Sequence, residues 1–160
     1  MLGATNGPWL VTFDGSSSDA DEFAWRCAAD GYTARLLRGE RMQTEPALFA
    51  ELGAALQFPY YFGGNWPALA ECLADLDWLD AGKGYVIVIT NPELVLAHEK
   101  PTQLAVLSRL FGEAAATWAE AVDDGQPWDR PAVPFHVVLQ TTPDEPTTRW
   151  PLDPGTATVS

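Results

Sequence analysis

The run YVIVIT, Tyr85 to Thr90, constrains the fold more than any other stretch of this chain. Tyr85 to Ile89 is unbroken apolar sequence, which reads as a strand covered on both faces, the environment of a parallel sheet flanked by helices. Two more apolar strands accompany it, TARLLR at Thr33–Arg38 and FHVVL at Phe135–Leu139. The sequence between them is helical in pattern. Thr44 can N-cap a helix with Pro46 in its first turn, where a missing N–H costs little. Leu48, Leu52 and Leu56 then recur at helical spacing until Pro59 forces an end near Phe58. Asn65 caps a second helix, again with Pro in the first turn. Trp66, Leu69, Leu73 and Leu76 mark its inner side, and Pro67, Glu71 and Asp75 its outer stripe. Pro101 opens a longer helix with Leu104, Leu107, Phe111, Trp118 and Val122 along its apolar side. This order of elements predicts an α/β fold: a small three-stranded parallel sheet packed by helices and joined by right-handed crossovers.

The flanks read differently. Residues 8–13, PWLVTF, form a short strand, and Ser18 or Asp19 caps a helix over DEFAWRCAA that Gly31 ends. Residues 1–31 are therefore expected to be an N-terminal strand and helix added to a main domain over 32–140. The Pro- and Thr-rich stretch 141–160 is expected to be a flexible tail.

Charge narrows the function. Nine Lys and Arg face 22 Asp and Glu, for a net charge of -13. Such a surface repels nucleic acid and anionic membranes and attracts basic proteins, although acidity also serves solubility alone. Cys27 and Cys72 form no CxxC pair and read as buried thiols. The first residues lack the basic and apolar regions of a signal peptide, and no apolar run approaches membrane-spanning length, so the cytoplasm is the expected compartment. No glycine-rich dinucleotide loop, Walker loop, HExxH or GxSxG motif is present, and no cofactor, metal or catalytic residue is expected. His136 lies within a strand and His98 in a polar HEK stretch, neither with a visible acid–base partner. Gly63-Gly64 lacks a nearby Lys or Arg and makes a poor anion site.

A binding surface remains. FPYYFGGNWPALAECL, Phe58 to Leu73, crowds aromatic rings around a Gly-Gly-Asn turn and continues into an acid-bearing helix. Tyr and Trp cluster where partners dock, and Tyr61 is the ring expected outside, with Phe58 and Trp66 turned in. This run resembles the signature of the barstar family of intracellular ribonuclease inhibitors. Pro59, Tyr61, Phe62, Gly63, Asn65, Ala68, Leu69, Cys72 and Leu73 stand in register with it, and the likeness extends over about residues 32–140.

The resemblance implies an inhibitor that lays an acidic helix and its preceding loop across the basic active site of a ribonuclease. It carries partner-binding roles onto Tyr61, Gly63, Asn65 and Glu71, and onto Glu113 of the long helix. Trp66 belongs to the same aromatic patch. Asp75, one turn beyond Glu71, adds charge where the family's first interface aspartate has become Pro67; the family tryptophan before the main acid is Ala70 here. The expected partner is a basic extracellular-type ribonuclease or another basic toxin protein, met by a chain that is monomeric when free.

Overall fold

The computed structural model describes residues 2–144, 149–152 and 156–159. Its centre is an all-parallel sheet of five strands: β1 (Leu10–Asp14), β2 (Thr33–Arg38), β3 (Tyr85–Thr90), β4 (Phe135–Thr141) and β5 (Ala157–Val159), in the spatial order β2-β3-β4-β1-β5. The uniformly apolar β3 lies inside the sheet, with Thr33 opposite Tyr85 on one side and Tyr85 opposite Phe135 on the other. Its side chains alternate between two cores. Tyr85, Ile87 and Ile89 join the larger core, formed with α2 (Glu45–Ala55), α3 (Trp66–Asp75) and α4 (Pro101–Ala119). Val86 and Val88 join the smaller one beneath α1 (Ser17–Ala29). Period-two alternation thus gives each face its own helical layer.

Local signals set the helix boundaries. The Thr44 side chain accepts a bond from Ala47 N, and Asn65 Oδ1 accepts from Ala68 N at 2.9 Å, each followed by a proline in the first turn. α2 ends slightly earlier than expected, because the chain leaves the helix at Leu56 and Gln57 adopts a φ of 55° ahead of the proline. The α1 cap is Ser16 rather than Ser18 or Asp19. Ser16 and Asp19 form a reciprocal capping box, so Asp19 occupies the third helical position. α4 stops at Ala119, and Val122, expected on its apolar side, instead bridges to Arg130.

The sheet is the main correction, with five strands in place of three. β1 is no appendage: it pairs along its length with β4, Leu10 opposite Val137 through Asp14 opposite Thr141. Without it β4 would be an edge strand, although Val137, Val138 and Leu139 are fully buried. α1 is the crossover from β1 to β2, which lies three places away in the sheet. The segment after residue 140 also differs from a flexible tail in its described residues. β5 pairs with β1, Val11 opposite Ala157 and Phe13 opposite Val159. Trp150 is buried, and its indole N–H donates to Pro92 O at 2.9 Å.

Candidate partner-binding surface

The loop from α2 to α3 is a platform of inward rings carrying two outward ones. Phe62 N–H donates to Pro59 O at 2.9 Å, closing a turn whose two corners are Tyr60 and Tyr61. Phe58 and Phe62, on either side of that turn, pack edge-on at 4.8 Å. Phe49 of α2 meets Phe62 at 6.2 Å and Trp66 at 5.1 Å, and Phe58 meets Trp78 at 6.1 Å. Two indoles lock the platform to its surroundings: Trp66 Nε1 donates to Gln103 Oε1 of α4, and Trp78 Nε1 to Leu56 O. Edge-to-face packing of this kind adds to simple burial and fixes ring positions. The turn backbone is therefore held in place while it presents Tyr61, 69% exposed, and Tyr60, fully exposed, so a partner has only their side chains to order.

The structure puts the expected site residues in three settings. Tyr61, Gly63 and Asn65 are exposed and contiguous at the entry to α3, with the Asn65 oxygen committed to the helix cap. Trp66 is half-buried and serves the packing of α2, α3 and α4. Glu71 and Asp75 are exposed on the outer side of α3, and the pattern of buried Leu69, Cys72, Leu73 and Leu76 puts Glu71 opposite the core. Partial burial, then repulsion from Asp77, raises the Asp75 carboxyl above its ordinary value. Burial also raises the Cys72 thiol, with Asp75 and Glu71 adding to the effect, and Cys27 is shifted upward by burial as well; neither is an activated thiolate.

Glu113 is exposed on α4, which packs on α3 through Trp118, whose Nε1 donates to Leu73 O at 2.8 Å. Its carboxylate is paired with Arg109 at 3.1 Å, one turn earlier. That neighbour offsets the negative charge Glu113 would offer a partner. Tyr60 belongs to the aromatic patch read from the sequence, but only Tyr61 was expected outside. The signal was present in the spacing of Phe58 and Phe62, which turns both inward and leaves the two residues at the corners outside.

Among the described residues neither histidine is hydrogen-bonded to a carboxylate or a nucleophile. His98 is exposed with Nε2 3.0 Å from Gln43 Oε1, ahead of α4 rather than within it. His136 is buried in β4 with Nδ1 unpartnered, and burial lowers its pKa. Among the described residues no group of three His, Cys, Asp or Glu is placed to hold a metal ion, and no helix is long and apolar enough to cross a membrane.

The profile of the family described as Barstar (barnase inhibitor) matches residues 32–140, which include the ring platform, α3 and α4. The chain belongs to the barstar family. β1, α1 and β5 lie outside the matched segment, and β1 and β5 widen the sheet. No curated protein sequence matches the chain. Among solved structures it is similar to Cdc6p from Pyrobaculum aerophilum, with a TM-score of 0.54 at 19% identity over 93% of this chain. The chain spans 38% of the length of that protein, and the likeness is one of fold alone.

Proposed function

We propose that the chain is a cytoplasmic inhibitor, or immunity protein, of a small basic ribonuclease, covering the enzyme's active site with the Tyr60–Tyr61 turn and the outer side of α3. The observation that carries this reading is the joint exposure of Tyr61 and Glu71 on a rigid loop and helix within the barstar-matched segment. Glu71 would stand where an RNA phosphate binds, accepting charge-assisted hydrogen bonds from active-site cations. Tyr61 supplies anchoring area, and the backbone at Gly63 and Gly64 leaves room for close approach. Asp75 adds negative potential one turn on. Glu113 joins only if the partner draws it from Arg109. With a net charge of -13 the protein would attract a basic enzyme over several ångströms, and the encounter rate would fall with salt. No cofactor and no nucleic acid takes part, and the free chain is a monomer.

The test is inhibition of RNA cleavage by a panel of small basic microbial ribonucleases that includes barnase. Inhibition of at least one at micromolar concentration or below is expected; inhibition of none overturns the reading. Glu71→Lys, which sets like charges against the cleft, should weaken the inhibited pair at least about tenfold. An unchanged affinity would mean that α3 is not the docking surface.

A second reading takes its support from Pro67 and Ala70, where the family pattern has an aspartate and a tryptophan. A barstar scaffold without those groups suits a basic toxin that is not a nuclease. Recovery of a non-nuclease basic protein by the tagged chain, released by the same Glu71→Lys change, would favour it.

A further inference from the structure

Two tryptophans are largely exposed among the described residues, Trp25 at 72% and Trp128 at 66%. Trp25 projects from α1, the layer on the opposite face of the sheet from α3. Trp128 is held by a loop whose order is out of keeping with a loose connection. The Asp129 carboxylate accepts hydrogen bonds from Asp124 N, Gly125 N and Gln126 N at 2.8–3.1 Å. Val122 and Arg130 exchange backbone bonds, each at 2.9 Å, and close the loop at its base. The Arg130 guanidinium stacks 4.2 Å above the Trp118 ring and donates to the carbonyls of Thr117, Trp118 and Glu120, fastening the loop to the end of α4.

That end of α4 is itself bound to α3 at Leu73, two residues beyond Glu71. The loop therefore hangs beside the C-terminal half of the acidic helix. α3 has ten residues and is about 15 Å long. A standard protein interface covers about 800 Å² of each partner, roughly 30 Å across, so a protein seated on Tyr61 and Glu71 extends past the helix end. The ordered loop backbone spares a partner the entropy of fixing the loop, and an exposed tryptophan supplies a large contact area at the cost of only two side-chain torsions.

We propose that Trp128 is a second anchor for the same basic partner, receiving a lysine or arginine side chain at the rim of the partner's cationic cleft. The exposed Asp123 and Asp124 at the base of the loop complement that charge, and the open indole face offers a cation–π seat. The inference rests on the ribonuclease-inhibitor reading and extends its surface from the α2–α3 loop to the loop after α4.

The experiment is calorimetric titration of barnase, and of every panel ribonuclease that the chain inhibits, with the full chain and four variants. Trp128→Ala should weaken binding about three- to thirtyfold, the range of a cation–π contact that loses water on docking. Trp128→Phe should recover most of the loss, Trp25→Ala should leave affinity unchanged, and Glu71→Lys should weaken it. Melting temperatures equal to that of the parent show that the exposed substitutions leave the fold intact. If Glu71→Lys weakens binding and Trp128→Ala does not, the second anchor is refuted and the inhibitor reading stands. If the parent chain binds no ribonuclease, the inhibitor reading falls and takes the anchor with it. Sedimentation showing a dimer of the parent that Trp128→Ala dissolves would assign the ring to a second copy of the chain and overturn the proposal.

Discussion

Replacing Trp150 with alanine tests whether the segment after β4 is part of the folded unit. Trp150 is 2% exposed, its indole N–H donates to Pro92 O, and it packs into the larger core. The neighbouring Arg149 donates to the carbonyls of Glu93, Val95 and Leu96 at 2.6, 3.0 and 3.4 Å, so two consecutive side chains grip the same turn before α4. Burying a tryptophan removes up to about 250 Å² from water, worth about 6 kcal/mol at 25 cal/mol per Å² as an upper bound. Truncations of buried aromatic residues to alanine cost about 3–5 kcal/mol, which is the expected loss here. For a chain of this size each kcal/mol lowers the melting temperature by about 2–4 °C, so Trp150→Ala should melt about 6–20 °C below the parent. Trp150→Phe keeps most of the apolar body but leaves the Pro92 carbonyl without its donor, at a cost of about 1–3 kcal/mol. Thermal and urea unfolding followed by circular dichroism measure both variants. A Trp150→Ala protein melting within about 2 °C of the parent would refute the docked segment and restore the loose tail.

Burial holds the His136 ring below its ordinary pKa of 6.5. The folded state therefore favours neutral imidazole, and the unfolded chain takes up the proton first. Stability is complete above about pH 6.5 and declines as pH falls below it, until the folded ring itself titrates. Urea midpoints of the parent should drop between about pH 7 and 5.5 more than those of His136→Gln; parallel curves would refute the assignment. At Gly39 a side-chain β-carbon would run into the carbonyl oxygens of Thr90 and Asn91, which are backbone and cannot swing aside. Gly39→Ala should destabilise by about 1–3 kcal/mol in urea unfolding, and an unchanged midpoint would refute that close approach.

The helices of the main domain were legible because their signals are local. Thr44 and Asn65 cap through their own side chains, prolines follow in the first turns, and leucines at helical spacing declare the inner side. The apolar run of β3 likewise announced a strand covered on both faces, and the described β3 has every residue buried. The candidate surface was legible in part: the outward stripe of α3 follows from spacing, as does the resemblance of the FPYYFGGNWPALAECL run. The exposure of Tyr60 was missed because exposure at a turn corner depends on how the flanking rings pack. Trp128 was passed over because its loop is ordered by Asp129 and Arg130 folding back on neighbours that the sequence does not mark as partners.

The sequence alone determined an α/β chain with a parallel sheet, the caps and inner sides of α2 and α3, and a strongly acidic surface, because each depends on residue type and spacing within one element. Tertiary structure decided the width of the sheet, the place of β1 beside β4, and the docking of Trp150 and β5. Those pairings join residues more than a hundred positions apart, Leu10 with Val137 and Val11 with Ala157. A short strand gains most of its stability from the partner it meets, and no local pattern encodes which strand that will be.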